Sequence, residues 1–228
     1  MSTQAPVETG THHGEVREEQ DYILQLYQKL DSLREQAVQR RGRALRETGG
    51  THQARYERNA TVTRLTDQIT QFDAVEEGLC FGRLDYHDGS LRRIGRIGIF
   101  DDTRDYEPLL LDWRAPAARP FYTATAASPE GVSRRRHVRT RGRTVVDVND
   151  EVLDLATAKL EGLTGEAALL AAVNAVRTGR MRDIVETIQA EQDRVIRSGL
   201  NGVLVVQGGP GTGKTAVALH RAAYLLYT

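Results

Sequence analysis

Ile23-Leu24-Gln25-Leu26-Tyr27-Gln28-Lys29-Leu30-Asp31-Ser32-Leu33-Arg34-Glu35-Gln36-Ala37 decides the architecture of the first third of the chain. Between Glu15 and Glu47 the apolar positions Ile23, Leu26, Leu30, Leu33 and Ala37 are separated by alternating steps of three and four, with Glu, Arg and Gln between them. Such steps keep one helical stripe facing a partner, which is a heptad seam. A second run from His52 to about Leu79 repeats the pattern at Val62, Leu65, Ile69 and Phe72 and continues through Val75 and Leu79. Thr48-Gly49-Gly50-Thr51 separates the runs and reads as a helix stop followed by a tight reversal. The prediction is an antiparallel helical hairpin over 15–79, with arms roughly 40 Å long at ~1.5 Å per residue. Arms of that length exceed what a small β module can cover, so such a hairpin projects. It is either a coiled coil packed along a further domain or a probe inserted into a partner.

Outward from the hairpin, the first fourteen residues, Met1 to Gly14, are polar, contain Pro6, Gly10 and a His12-His13 pair, and read as a disordered lead. They carry no apolar signal core, and no window reaches transmembrane length, so no membrane partner is expected. On the other side, Cys80 to about 150 changes grammar to short β-branched or apolar runs punctuated by turns. Phe81 to Tyr86 and Leu91 to Phe100 flank Asp88-Gly89, a hairpin signal. Pro108 to Trp113, Phe121 to Thr125, His137 to Thr140 and Thr144 to Val148 follow as further strands of a small, mostly antiparallel module. Arg134, Arg135, Arg136, Arg139, Arg141 and Arg143 form a basic stretch around a turn at Gly142. It could contact a phosphate backbone or an acidic protein, or be a plain solvated face neutralised by Asp147, Asp150, Glu151 and Asp154.

From 151 the pattern turns helical, with amphipathic stretches at 151–160, 166–176 and 181–197. An apolar run, Gly202 to Val206, then reads as a buried strand leading into Gly208-Gly209-Pro210-Gly211-Thr212-Gly213-Lys214-Thr215 and a helix from Lys214 to Tyr227. Strand, glycine loop and helix are the setting of a phosphate-binding loop. Glycines let backbone N–H groups turn inward around phosphates where a Cβ would block the approach, and the helix N-terminus adds partial positive charge. Lys214 is expected to reach the β- and γ-phosphates, and the Thr215 hydroxyl to hold Mg2+. Hydrolysis further requires a downstream acidic pair and a charge-neutralising arginine, which the thirteen residues after Thr215 cannot encode. The chain therefore reads as the N-terminal piece of a larger ATPase, unable to turn ATP over by itself.

Composition sets outer bounds. The 228 residues carry 31 Lys and Arg against 31 Asp and Glu, so any surface for a charged partner must be local. One cysteine, Cys80, excludes a disulfide framework and suits a reducing, cytoplasmic compartment.

Gln192, sixteen residues before the loop, resembles the adenine-reading glutamine of UvrD/Rep-type superfamily 1 helicases, with Gln189 a competitor at similar spacing. An amide that both donates and accepts suits the adenine edge, so ATP is the implied nucleotide. A narrower resemblance rests on Asp112-Trp113-Arg114-Ala115-Pro116 with Pro120-Phe121-Tyr122, on Ile94-Gly95-Arg96-Ile97-Gly98-Ile99, on Met181-Arg182-Asp183-Ile184-Val185, and on Ile188-Gln189-Ala190-Glu191-Gln192. From about Glu15 onward these runs are similar to HelD, the helicase-like ATPase associated with bacterial RNA polymerase. The resemblance implies that the hairpin 15–79 enters the polymerase secondary channel, its tip near Glu47 to Gln53, and that an ATPase core couples nucleotide to release of nucleic acid and recycling of the enzyme. The tip departs from the family pattern in offering Glu47 alone rather than paired carboxylates, so no action on the polymerase's catalytic Mg2+ is implied. Trp113 reads as core and an Asp112–Arg114 contact as structural.

The expected fold is α+β: a disordered lead (1–14), an antiparallel coiled-coil hairpin (15–79), a small antiparallel β module (80–150), and helices leading to the first P-loop unit of a RecA-like ATPase domain (151–228). Two other functions compete with a polymerase-recycling motor. One is an ordinary DNA helicase, which has no need of the long hairpin; the other is a non-enzymatic module that docks on polymerase without turnover.

Overall fold

The computed structural model describes residues 8–103, 105–153 and 188–228, with side chains from His13. Helix α1 spans Glu8–Arg46 and α2 spans His52–Ala74. The seam follows the predicted spacing except at Val62, which is only half-buried and outside the core cluster. Ile23, Leu26, Leu30, Ala37, Leu65 and Phe72 are buried, and Leu33 and Ile69 pack at its edge. Helix α1 begins inside the stretch expected to be disordered, so the first arm is longer than its apolar spacing marks. The second arm is shorter: α2 stops at Ala74, and Val75 and Leu79 reach the core from the chain that follows. At the reversal Gly49 and Gly50 have φ of 90° and 92°, and Thr51 caps α2 by accepting a hydrogen bond from the Ala54 amide at 3.3 Å.

Six strands follow: β1 (Cys80–Tyr86), β2 (Leu91–Gly95), β3 (Ile99–Asp101), β4 (Glu107–Asp112), β5 (Val132–Arg141) and β6 (Thr144–Val152), in the order β3-β4-β2-β1-β5-β6. The sheet is mixed rather than antiparallel. Strand β4 pairs parallel with β2 (Ile94↔Leu111) and antiparallel with β3 (Ile99↔Leu110). This corrects the single strand expected over Leu91 to Phe100: β2 and β3 lie on opposite sides of β4, and the chain must break at 96–98 to pass from one to the other. Phe121 to Thr125 is corrected too. Pro120 opens a short helix, α3 (Pro120–Thr123), whose adjacent Phe121 and Tyr122 are both buried, whereas successive residues of a strand point to opposite faces. Phe121 also dictates a glycine: a Cβ on Gly82 would stand 2.2 Å from its ring.

The chain divides into two compact units. In the first, the described part of Met1–Cys80 joins Ile97–Leu110 and Val138–Val148, so the base of the hairpin shares one core with Ile97, Ile99, Leu110, Val138, Val145 and Val148. Tyr27, an unmarked position in the seam, is 1% exposed; its hydroxyl donates to Glu76 O at 2.8 Å and the Arg143 guanidinium lies 4.7 Å over its ring. Arg143 also bridges Asp31 at 2.6 Å and Glu76 at 2.6 Å, tying both arms to the β5–β6 turn. Hydrogen bonding from Arg143 holds both carboxylates below their ordinary range.

The second unit comprises Phe81–Arg96, Leu111–His137 and the described part of Asn149–Thr228. It holds helices α4 (Ala190–Ile196) and α5 (Lys214–Tyr227) around Trp113, Phe121, Ile196 and Val217. Glu151 and Val152, expected to start a helix, belong to β6; 154–160 of that predicted helix, the one over 166–176 and 181–187 of the one over 181–197 lie outside the described residues, while the rest of the last contains α4. Gly202 to Val206 forms no strand. Pairing needs a neighbour, none is supplied among the described residues, and Val203 and Val205 are 92% and 78% exposed.

Candidate functional site

Residues 208–215 form a tight loop closing onto the first turn of α5. Gly211 and Gly213 have φ of 77° and 82°, and Gly213 is the residue that caps the helix. Position 213 is also crowded. A Cβ there would lie 3.2 Å from Nε2 of Gln192, so the side-chain amide of α4 stands beside the loop. A Cβ on Gly208 would approach the Thr212 hydroxyl to 2.7 Å. The Lys214 ammonium turns back to donate to Gly208 O at 2.8 Å and Gly209 O at 2.6 Å, and Thr212 Oγ1 donates to Gly209 O at 2.9 Å. Thr215 is exposed at the start of the helix. The loop thus combines left-handed glycines with an exposed lysine folded back onto its own carbonyls. Among the described residues no group of three or more His, Cys, Asp or Glu could hold a metal ion.

The two glutamines weighed for adenine share a local duty. They form a capping box on α4: Gln189 accepts from the backbone amide of Gln192, and Gln192 Oε1 accepts from the Gln189 amide at 3.2 Å. This fixes the Gln192 amide in the orientation that brings its nitrogen against Gly213.

Helices α4 and α5 are held by residues that the motifs do not mark. Asp193, 1% exposed, pairs with Arg197 at 2.7 Å one turn later. Arg197 donates to the carbonyls of Trp113 at 2.7 Å and Arg114 at 2.9 Å, while the Trp113 ring meets His220 of α5 edge-on at 5.5 Å. Arg221 of α5 donates to the carbonyls of Val195, Ile196 and Ser198 at the end of α4. The Asp112-to-Pro116 run is therefore the seat of the two helices that carry the phosphate loop and Gln192. Trp113 is core, and Arg114 Nε donates to Asp112 Oδ1 at 2.8 Å, as the sequence predicts. Arg197 and Asp193 could have been noticed as an acid–base pair four residues apart on one helix face.

The basic stretch of β5 resolves into ion pairs. Arg136, 1% exposed, makes a two-pronged contact with Asp150 at 2.6 Å and 2.6 Å; Arg135 pairs with Glu151, Arg134 with Asp85, and Arg139 with Asp147. Asp154 lies outside the described residues. Burial would raise Asp85, but Arg83 and Arg134 hold it below the ordinary carboxylate range. His137, between these arginines, is depressed to about 4 by burial and then by Arg135. The acids beside this face neutralise it, which favours the structural reading over a phosphate-binding one.

A long antiparallel helical hairpin sharing its core with a mixed sheet, followed by a glycine loop at a helix start, defines an α+β protein. Residues 16–167 match the family model of DNA helicase IV HelD, N-terminal domain, and the chain belongs to that family. No curated protein matches the chain. The match covers the hairpin and the whole sheet, and ends before the phosphate loop. Among the described residues no helix is long and apolar enough to cross a membrane.

Proposed function

We propose that these residues are the partner-binding and nucleotide-entry part of a helicase-like motor, which binds bacterial core RNA polymerase through the hairpin 15–79. In such a motor, ATP hydrolysis is coupled to release of nucleic acid and recycling of the polymerase, in the cytoplasm. The observation that carries the reading is the convergence, within a HelD-family chain, of the glycine loop, Lys214 and the Gln192 amide at the start of α5. Gly208 to Gly213 would cradle the phosphates of ATP, Lys214 would exchange its loop carbonyls for phosphate oxygens, and Gln192 would meet the adenine edge. Mg2+ held at Thr215 would neutralise phosphate charge. Arg197 and Trp113 position the two helices and have no contact with the nucleotide in this scheme.

Binding of a fluorescent ATP analogue to the full chain with Mg2+ tests the nucleotide half. Measurable affinity that falls at least tenfold in Lys214→Ala, without steady hydrolysis by either protein, is the expected result. Equal binding by the variant, or steady turnover abolished by it, contradicts the reading. An ordinary DNA helicase shares the loop and Gln192, but the hairpin of α1 and α2 is an element that unwinding does not call for.

A further inference from the structure

The zero net charge of the chain conceals a strongly basic end on the hairpin. Residues 38–64 carry seven arginines (40, 41, 43, 46, 55, 58 and 64) against two carboxylates, Glu47 and Glu57, a net charge of +5. Arg40, Arg43, Arg46, Arg55 and Arg64 are exposed, and no carboxylate of the described residues pairs with any of the seven. Among the described residues their side chains make one hydrogen bond, from Arg58 Nη1 to the carbonyl of Glu47 at 2.6 Å. Arg40, Arg43 and Arg46 recur every third residue, so they share one side of α1; Arg55 and Arg58 do the same on α2. Like charges at this spacing repel and destabilise a helix, a cost that a bound polyanion reverses. On α2, Tyr56 is 72% exposed and lines a shallow groove with Asn59, Ala60, Thr63 and Arg64.

We propose that the end of the hairpin, through Arg40, Arg43, Arg46, Arg55 and Tyr56, is a binding surface for single-stranded nucleic acid. Planar guanidinium groups match phosphate oxygens, and an exposed aromatic ring gives a base a face on which to stack. The pairing of arginine with a solvated aromatic favours a strand with unstacked bases over an acidic protein face. The site is independent of the phosphate loop and does not require polymerase.

The test is fluorescence anisotropy of a labelled single-stranded oligonucleotide of about twenty nucleotides, titrated with the full 228-residue chain at several salt concentrations, without polymerase or ATP. Arg43→Ala/Arg46→Ala/Arg55→Ala is expected to weaken binding at least tenfold and to flatten the salt dependence by about two units of log–log slope, at ~0.7 per phosphate contact. Tyr56→Ala is expected to weaken it several-fold with the slope unchanged, while Arg139→Ala/Arg141→Ala on β5 leaves both unchanged. Circular dichroism should show the helices intact in each variant. Equal binding by the triple variant, or tight binding of polyglutamate with none of the oligonucleotide, overturns the proposal; the latter result would assign the surface to an acidic protein.

Discussion

Two arginine-rich regions of this molecule have opposite fates. On β5 and its turn, Arg134, Arg135, Arg136, Arg139 and Arg143 each meet a carboxylate within 3.0 Å, supplied by residues as distant in sequence as Asp31. At the end of the hairpin, none of seven arginines does so among the described residues. The first region is denser in sequence and reads more readily as a binding patch, yet its charge is spent internally. Whether a basic run can receive a polyanion is decided by tertiary pairing, not by the count of arginines. Arg141 is the member of the β5 stretch for which no ion pair forms among the described residues, and one exposed cation does not make a surface.

The sharpest way to break this contrast is through stability. Arg136→Ala leaves the partly exposed Asp150 with only its longer contact to Arg134, at 3.4 Å, and should cost roughly 2–3 kcal/mol, below the penalty for a fully buried pair. Urea denaturation reads it directly. If Arg136→Ala unfolds at the wild-type midpoint, the pair is not a structural element and the β5 face could be free for a partner after all.

A second test uses pH. His137 stays neutral in the folded chain down to about 4, whereas an unfolded histidine takes up a proton near 6.5. The unfolded state therefore binds more protons between those values, and stability must fall as pH drops through that window, by about 2 kcal/mol between pH 7 and 4.5. Asp31 and Glu76, whose folded pKa values lie below the ordinary range, add a further loss only at lower pH. His137→Gln should flatten the upper part of the profile and leave the lower part in place.

The smallest stability effect belongs to the hairpin end. Arg43→Ala/Arg46→Ala/Arg55→Ala should leave the urea midpoint within about 0.5 kcal/mol of wild type, as surface substitutions without partners do. A large loss would mean that these side chains are engaged in the fold and would remove the contrast from which the nucleic-acid surface was inferred.

The seam at Ile23, Leu26, Leu30 and Ala37 was legible because helical periodicity is local: four residues suffice to show which face is buried. The crossing at 96–98 was not, because it depends on β4, a strand that comes later and pairs on both sides. Phe121 and Tyr122 look like strand residues by type, and only the effect of Pro120 on the following turn makes them helical. The tight turn at 208–213 and the helix start at Lys214 were legible from the glycines that precede that helix. Arg197 was not, because its acceptors are backbone carbonyls of Trp113 and Arg114, more than eighty residues away and without a side-chain signature. The seven arginines of the hairpin end are plain in the sequence; that they lack carboxylate partners is a property of the folded chain.

The shared core also determines how the hairpin can be removed. Deleting 15–79 would uncover Val138, Val145 and Val148, so the informative variant is a shortened hairpin in which residues 41–61 give way to a four-residue glycine–serine turn and the base remains. Pull-down of purified core RNA polymerase by the full chain and by this variant tests the central reading most directly. The account predicts retention by the full chain and its loss on shortening, with helical content reduced only by the residues removed. Equal retention of polymerase by the shortened hairpin would contradict it.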